Sequence, residues 1–102
     1  MKISILLPYK ENFTISGAGA VSLFVNQISK QSKFKDSIKV FGNAHTKDLL
    51  DSNYININYS KNMFLSSSKS YVVKFLSHKV VQNSDIVEIH NRPIYIRFIK
   101  KK

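Results

Sequence analysis

Apolar and polar positions fall into segments whose period changes along the chain. Residues 2–7, Lys-Ile-Ser-Ile-Leu-Leu, are apolar on both faces from Ile5 onward, the pattern of a strand buried inside a parallel sheet. Pro8 stops this run, and Tyr9 to Ser16 reads as a polar loop. Gly17-Ala18-Gly19-Ala20 then opens a stretch with Val21, Phe24, Val25 and Ile28 at i, i+3, i+4 and i+7. That spacing predicts an amphipathic helix to about Lys33, with Ser16 as its N-cap and Lys30 and Lys33 at the negative end of its dipole.

Ser37 to Gly42 reads as a second strand, closed by Gly42-Asn43 and followed by a helical turn through Thr46 to Leu50. Tyr54-Ile55-Asn56-Ile57-Asn58 alternates strictly, as a half-exposed strand at a sheet edge does. Ser66-Ser67-Ser68 supplies caps for a helix whose inward face is Tyr71, Val72, Phe75, Leu76, Lys79 and Val80, ending near Asn83. Asp85 to His90 is the fourth strand, with Asn91-Arg92 at its C-terminal end. Pro93 suits the first position of a last helix over Ile94–Lys102.

Strands alternating with helices predict an α/β fold, because parallel strands need crossover connections and helices are the usual crossover. The expected architecture is a partial Rossmann-like three-layer sandwich with a mostly parallel sheet of about four strands, residues 1–102 forming one domain. Ligands of such sheets sit beyond the C-terminal ends of the strands. The loops expected to carry function are therefore Pro8–Gly19, Gly42–His45 and His90–Pro93.

Composition narrows the classes. The chain has 102 residues, 43% of them hydrophobic, which excludes a disordered basic tail. Sixteen Lys+Arg against six Asp+Glu give a formal net charge of +10, and twelve residues are Phe or Tyr. A small basic nucleic-acid-binding module is therefore an alternative reading, although the basic residues are dispersed and no helix-turn-helix or RNP-like pattern is present. The absence of Cys removes disulfides, thiolate nucleophiles and Cys-ligated metal centres. No apolar run approaches the roughly 18 residues of a membrane span, and Met1–Leu7 is too short for a signal-peptide core. The expectation is a cytoplasmic protein, with the inner membrane face as a further place of action.

Two constellations carry candidate chemistry. Glycines between a strand and a helix let backbone N–H groups approach a ligand, and the helix N-terminus adds about half a positive charge. Gly17, Ala18 and Gly19 thus suit a phosphate, a diphosphate or a carboxylate, although the third glycine of the dinucleotide fingerprint is missing. His90-Asn91-Arg92-Pro93 places an imidazole, an amide and a guanidinium at the same edge of the sheet. His45 and His78 lack a third ligand at useful spacing, so no metal is expected. Asp85 and Glu88 point to opposite faces of their strand, which argues against a carboxylate pair; Asp85 reads as a strand-entry cap and Glu88 as partly buried, needing a partner.

Ile3–Leu7, the helix opening Gly17-Ala18-Gly19-Ala20-Val21, and Ser84-Asp85-Ile86-Val87-Glu88-Ile89-His90-Asn91-Arg92-Pro93 together resemble the N-terminal domain of a GT-B-fold, family 4 glycosyltransferase, over essentially the whole chain. The His-Asn-Arg-Pro tetrad is similar to a bacterial subgroup of spore-coat and cell-surface polysaccharide enzymes. The resemblance implies retaining, metal-independent transfer of a sugar from a nucleotide-sugar donor to a cell-surface glycan or lipid-linked acceptor. It implies Gly17, Ala18 and Gly19 beside the donor diphosphate, His90 as the catalytic residue near the transferred sugar, and Asn91 and Arg92 in the acceptor pocket. Ala18 departs from the doubled glycine common there. No cofactor beyond the donor substrate is implied.

The family also has a second, donor-binding domain, which is expected to be missing here or supplied by a separate subunit. The chain alone is then expected to be inactive, as a fragment, a split-gene partner or a non-catalytic remnant. A further expectation follows for the fourth strand: Ile86, Val87 and Ile89 would form an exposed apolar edge open to self-association.

Overall fold

The computed structural model describes residues 1–9, 11–43, 48–57, 67–91 and 94–99, with the side chains of 67–69, 91 and 94–99 outside that description. The strands are β1 (Ile3–Leu6), β2 (Ile38–Gly42), β3 (Tyr54–Asn56), β4 (Ile86–Asn91) and β5 (Ile94–Ile99). The helices are α1 (Ala20–Gln31), α2 (Ser67–Ser77) and α3 (Lys79–Gln82), with a 3-10 turn at Lys35–Ser37.

The sheet runs β3-β2-β1-β4-β5. Its first four strands pair in parallel, with Ile5 beside both Val40 and Glu88, and Leu6 beside both Phe41 and Ile89. This is the strand order of the first half of a Rossmann-like doubly wound sheet. The α/β class and the mostly parallel sheet are thus as the periodicity implies, and β3, with its alternating pattern, lies at one end.

The other end departs from expectation. Residues 94–99 form a strand, not a helix, and pair antiparallel with β4 from Asn91↔Ile94 to Ile86↔Ile99. Ile-Tyr-Ile-Arg-Phe-Ile consists mainly of β-branched and aromatic residues, which favour a pleated surface. The neighbouring β4 edge offers unpaired backbone groups that a helix would leave open. Pro93, placed at the start of a helix by the sequence, lies outside the described residues. The sheet therefore has five strands, and the apolar edge expected at Ile86, Val87 and Ile89 is covered by β5.

A core lies on each face of the sheet. On one, Leu6, Phe41, Val87 and Ile89 pack with Tyr71 and Phe75 of α2 and Val81 of α3. Phe41 meets the Phe75 ring edge-on at 5.2 Å and the His78 ring at 5.1 Å. On the other, Ile5, Leu7, Ile38, Val40 and Tyr54 pack with Val25 of α1 and Phe13 of the β1–α1 loop.

Several local expectations are revised. The N-cap of α1 is Gly19, and Ser16 is exposed in the loop before it. Helix α1 buries Ser22, Val25 and Ser29, whereas Phe24 and Ile28 of the expected inward stripe are 56% and 38% exposed. Small serines let the helix approach the sheet closely, and the loop residue Phe13, stacked on Tyr54 at 5.7 Å, supplies the bulk that Phe24 was expected to bring. Residues 48–50 form no helical turn; Leu49 bridges antiparallel to Thr14. Residues 46, 47 and 58, like His45, lie outside the described residues. The second helical stretch breaks at His78, whose Nδ1 accepts from the Val80 amide at 3.2 Å and so caps α3. After that break Val81 is buried and Val80 exposed; Leu76, before it, is exposed as well.

Candidate functional site

The C-terminal edge of the sheet is built from the loop after β1 and the end of β4. Those strands are neighbours, so Leu7 and His90 leave them side by side. The Tyr71 hydroxyl donates to the Leu7 carbonyl at 2.6 Å, and the Leu7 amide donates to the Phe41 carbonyl at 2.8 Å, fixing the start of the loop. Further on, the Ile15 amide donates to the Asp48 carbonyl and the Leu50 amide to the Phe13 carbonyl. Asp48 adopts a left-handed φ of 55°, which short polar side chains tolerate better than most. The loop is thus pinned at both ends of its path.

Within it, the Gly17 amide donates to Thr14 Oγ1 at 3.1 Å. The carboxylate of Glu11 folds over the start of α1, where Oε2 accepts from the Ser22 amide at 3.3 Å. A Cβ on residue 19 would fall 2.5 Å from that oxygen, so glycine at this position makes room for the carboxylate. The anion site expected at the N-terminus of α1 therefore holds an anion of the chain's own. A carboxylate there offsets the positive end of the helix dipole, as a phosphate would.

Ile5 packs on the α1 face of the sheet and is the register partner of Glu88, so Glu88 and His90 belong to that face as well. Glu88 is buried, at 8% exposure, and its Oε2 lies 3.5 Å from Nε2 of His90, whose side chain is 15% exposed. The buried carboxylate that was expected to need a partner thus has the imidazole of His90 as a close neighbour on the same face. In the β4–β5 hairpin, Tyr95 is the register partner of His90 and Arg97 that of Glu88. Asp85 ties β4 to β1 as a strand-entry cap: its Oδ2 accepts from the Lys2 amide at 2.8 Å.

Gly17, Ala18, Gly19 and His90 consequently share one edge and one face of the sheet. Asn91 ends β4, but its side chain lies outside the described residues, as does Arg92. Among the described residues no three His, Cys, Asp or Glu side chains converge as a metal site would require, and no helix is long and apolar enough to cross a membrane. Sequence reasoning missed Glu11. The signal available was a lone carboxylate in a loop before a helix with no acid in its first turn.

No family model matches the chain, and neither a curated protein nor a solved structure is significantly similar to it.

Proposed function

We propose that the chain is the acceptor-side half of a retaining glycosyltransferase, acting on a cell-surface glycan or lipid-linked acceptor with a nucleotide-sugar donor. One observation carries the reading: a glycine-bearing loop ahead of α1 and the imidazole of His90, beside a buried carboxylate, share the C-terminal edge of a parallel sheet. Ligands of this class of sheet collect at that edge. His90 faces the reacting sugar, and the His90–Arg92 segment shapes the acceptor pocket.

The donor diphosphate would approach the N-terminus of α1 and compete there with the Glu11 carboxylate. Charge stabilisation of the departing diphosphate is assigned to a donor-binding α/β domain outside these residues. The test is amide chemical-shift mapping of the chain with UDP-glucose and GDP-mannose. The reading expects shifts at Gly17, Gly19 and His90, and an affinity raised about fivefold by Glu11→Gln, which removes a competing charge. Absence of shifts at this edge in both wild type and Glu11→Gln would refute the proposal.

A further inference from the structure

The opposite edge of the sheet, where the parallel strands begin, carries two adjoining clefts. One, of about 510 Å³, lies between the C-terminal end of α1, the 3-10 turn and the residues entering β3. The other, of about 390 Å³, lies between the starts of β1 and β2 and the α3–β4 connection. Asp36 and Lys39 line both.

Lys30, Lys35 and Lys39 line the larger cleft, and Lys2, Lys39 and Lys79 the smaller. These five are most of the seven basic side chains that the structure describes, and only Asp36 and Asp51 oppose them at the two clefts. None of the five forms an ion pair with a described carboxylate. Among the side chains that line the two clefts three positive charges are left in excess, where like charges repel and a bound anion would relieve the repulsion.

Two further groups in the larger cleft are neutral hydrogen-bonding partners without a protein mate. Ser29 is 2% exposed, and its hydroxyl has no hydrogen-bond partner. Asn53 donates its amide nitrogen to the Ile38 carbonyl at 3.3 Å, but its Oδ1 is buried and unpaired. Buried polar atoms without partners cost roughly 1–3 kcal/mol each, so their place in a cleft wall marks where a ligand's polar atoms belong. Ammonium groups suit phosphate oxygens as point charges. An unpaired carbonyl oxygen needs a donor, which the dianionic phosphate of a sugar phosphate lacks and a sugar hydroxyl supplies. The Ser29 hydroxyl can donate to or accept from the same ligand.

We propose that this edge binds a phosphorylated sugar, either a free sugar phosphate or the ribose phosphate of a nucleotide. The lysines take the phosphate, and Ser29 and Asn53 take hydroxyls of the sugar ring. The site lies at the other end of the strands from His90 and stands or falls independently of the glycosyltransferase reading.

Calorimetric titration of the full chain at low salt with glucose 6-phosphate, AMP and inorganic phosphate tests it, with a decathymidine strand as the polyanion control. At least one of the two sugar phosphates should bind more tightly than inorganic phosphate, and the tighter one identifies the source. Lys30→Gln/Lys35→Gln should weaken that binding about tenfold or more, and Ser29→Ala about fivefold with the thermal midpoint within about 3 °C of wild type. The proposal is overturned if neither sugar phosphate binds, if inorganic phosphate binds as tightly as both, if binding survives the double lysine substitution, or if decathymidine binds more tightly than either.

Discussion

The two ends of the parallel strands solve the same electrostatic problem in opposite ways. At the C-terminal edge two carboxylates are turned inward on the chain: Glu11 answers the N-terminus of α1, and Glu88 lies beside His90. At the N-terminal edge five lysines surround two clefts with two aspartates and no ion pair among them. The first edge is also braced by apolar packing, since Leu6, Leu7, Phe13 and Phe41 are all fully buried. The second is walled by serines, two asparagines and lysine stems. A self-satisfied edge spends its polar groups on holding a loop in place, whereas an edge with charges left over keeps them for something outside the chain.

This contrast can be broken experimentally, beginning with the largest effect. Phe41→Ala removes a fully buried ring that packs on Phe75 and His78. It should cost about 3–5 kcal/mol and leave the chain largely unfolded at 37 °C, measured by denaturant titration. Tyr71→Phe keeps the packing but strips the hydroxyl from the buried Leu7 carbonyl, and should cost about 1–2 kcal/mol in the same titration. Amide exchange should then quicken first in residues 7–19, because that hydroxyl pins the loop from the α2 side.

Glu11→Ala should cost about 0.5–1 kcal/mol, a cap interaction across a half-buried loop, with the loss confined to the first turn of α1 in amide exchange. If Glu11→Ala were neutral, the C-terminal edge would not depend on its internal anion and the contrast would weaken. The smallest effect belongs to the other edge. Lys30→Gln/Lys35→Gln should leave the thermal midpoint within about 3 °C of wild type and should reduce the stabilisation gained on adding 0.5 M salt, since salt screens the repulsion that these lysines contribute. A marked loss of stability would show that the lysines support the fold instead of standing ready for a ligand.

How much was legible in the sequence differs between the edges as well. Glu88 as a partly buried acid needing a partner, and Asp85 as a strand-entry cap, follow from alternation along a single strand, and alternation is a local property. The relation between Glu11 and Gly19 was not legible. It joins a loop carboxylate to a helix amide eleven residues later in the chain, through a path set by Tyr71, Thr14 and Leu49. The lysine clefts were hidden for a similar reason. Lys2, Lys30, Lys35, Lys39 and Lys79 look dispersed along the chain and converge only because four parallel strands begin at one edge.

By itself the sequence determined the α/β class, the four parallel strands, the two main helical segments and the pairing of glycine loop and His90 with strand ends, because period-2 and period-3.6 patterns are written into neighbouring residues. The tertiary structure decided the rest. It turned Ile94–Ile99 into a strand, since β4 offered an open edge and a β-rich hexapeptide lay within reach. It rotated α1 onto its serines, since Phe13 already filled the core beside Val25. It gave the anion site at the start of α1 to Glu11, since only a folded loop brings that carboxylate to the helix.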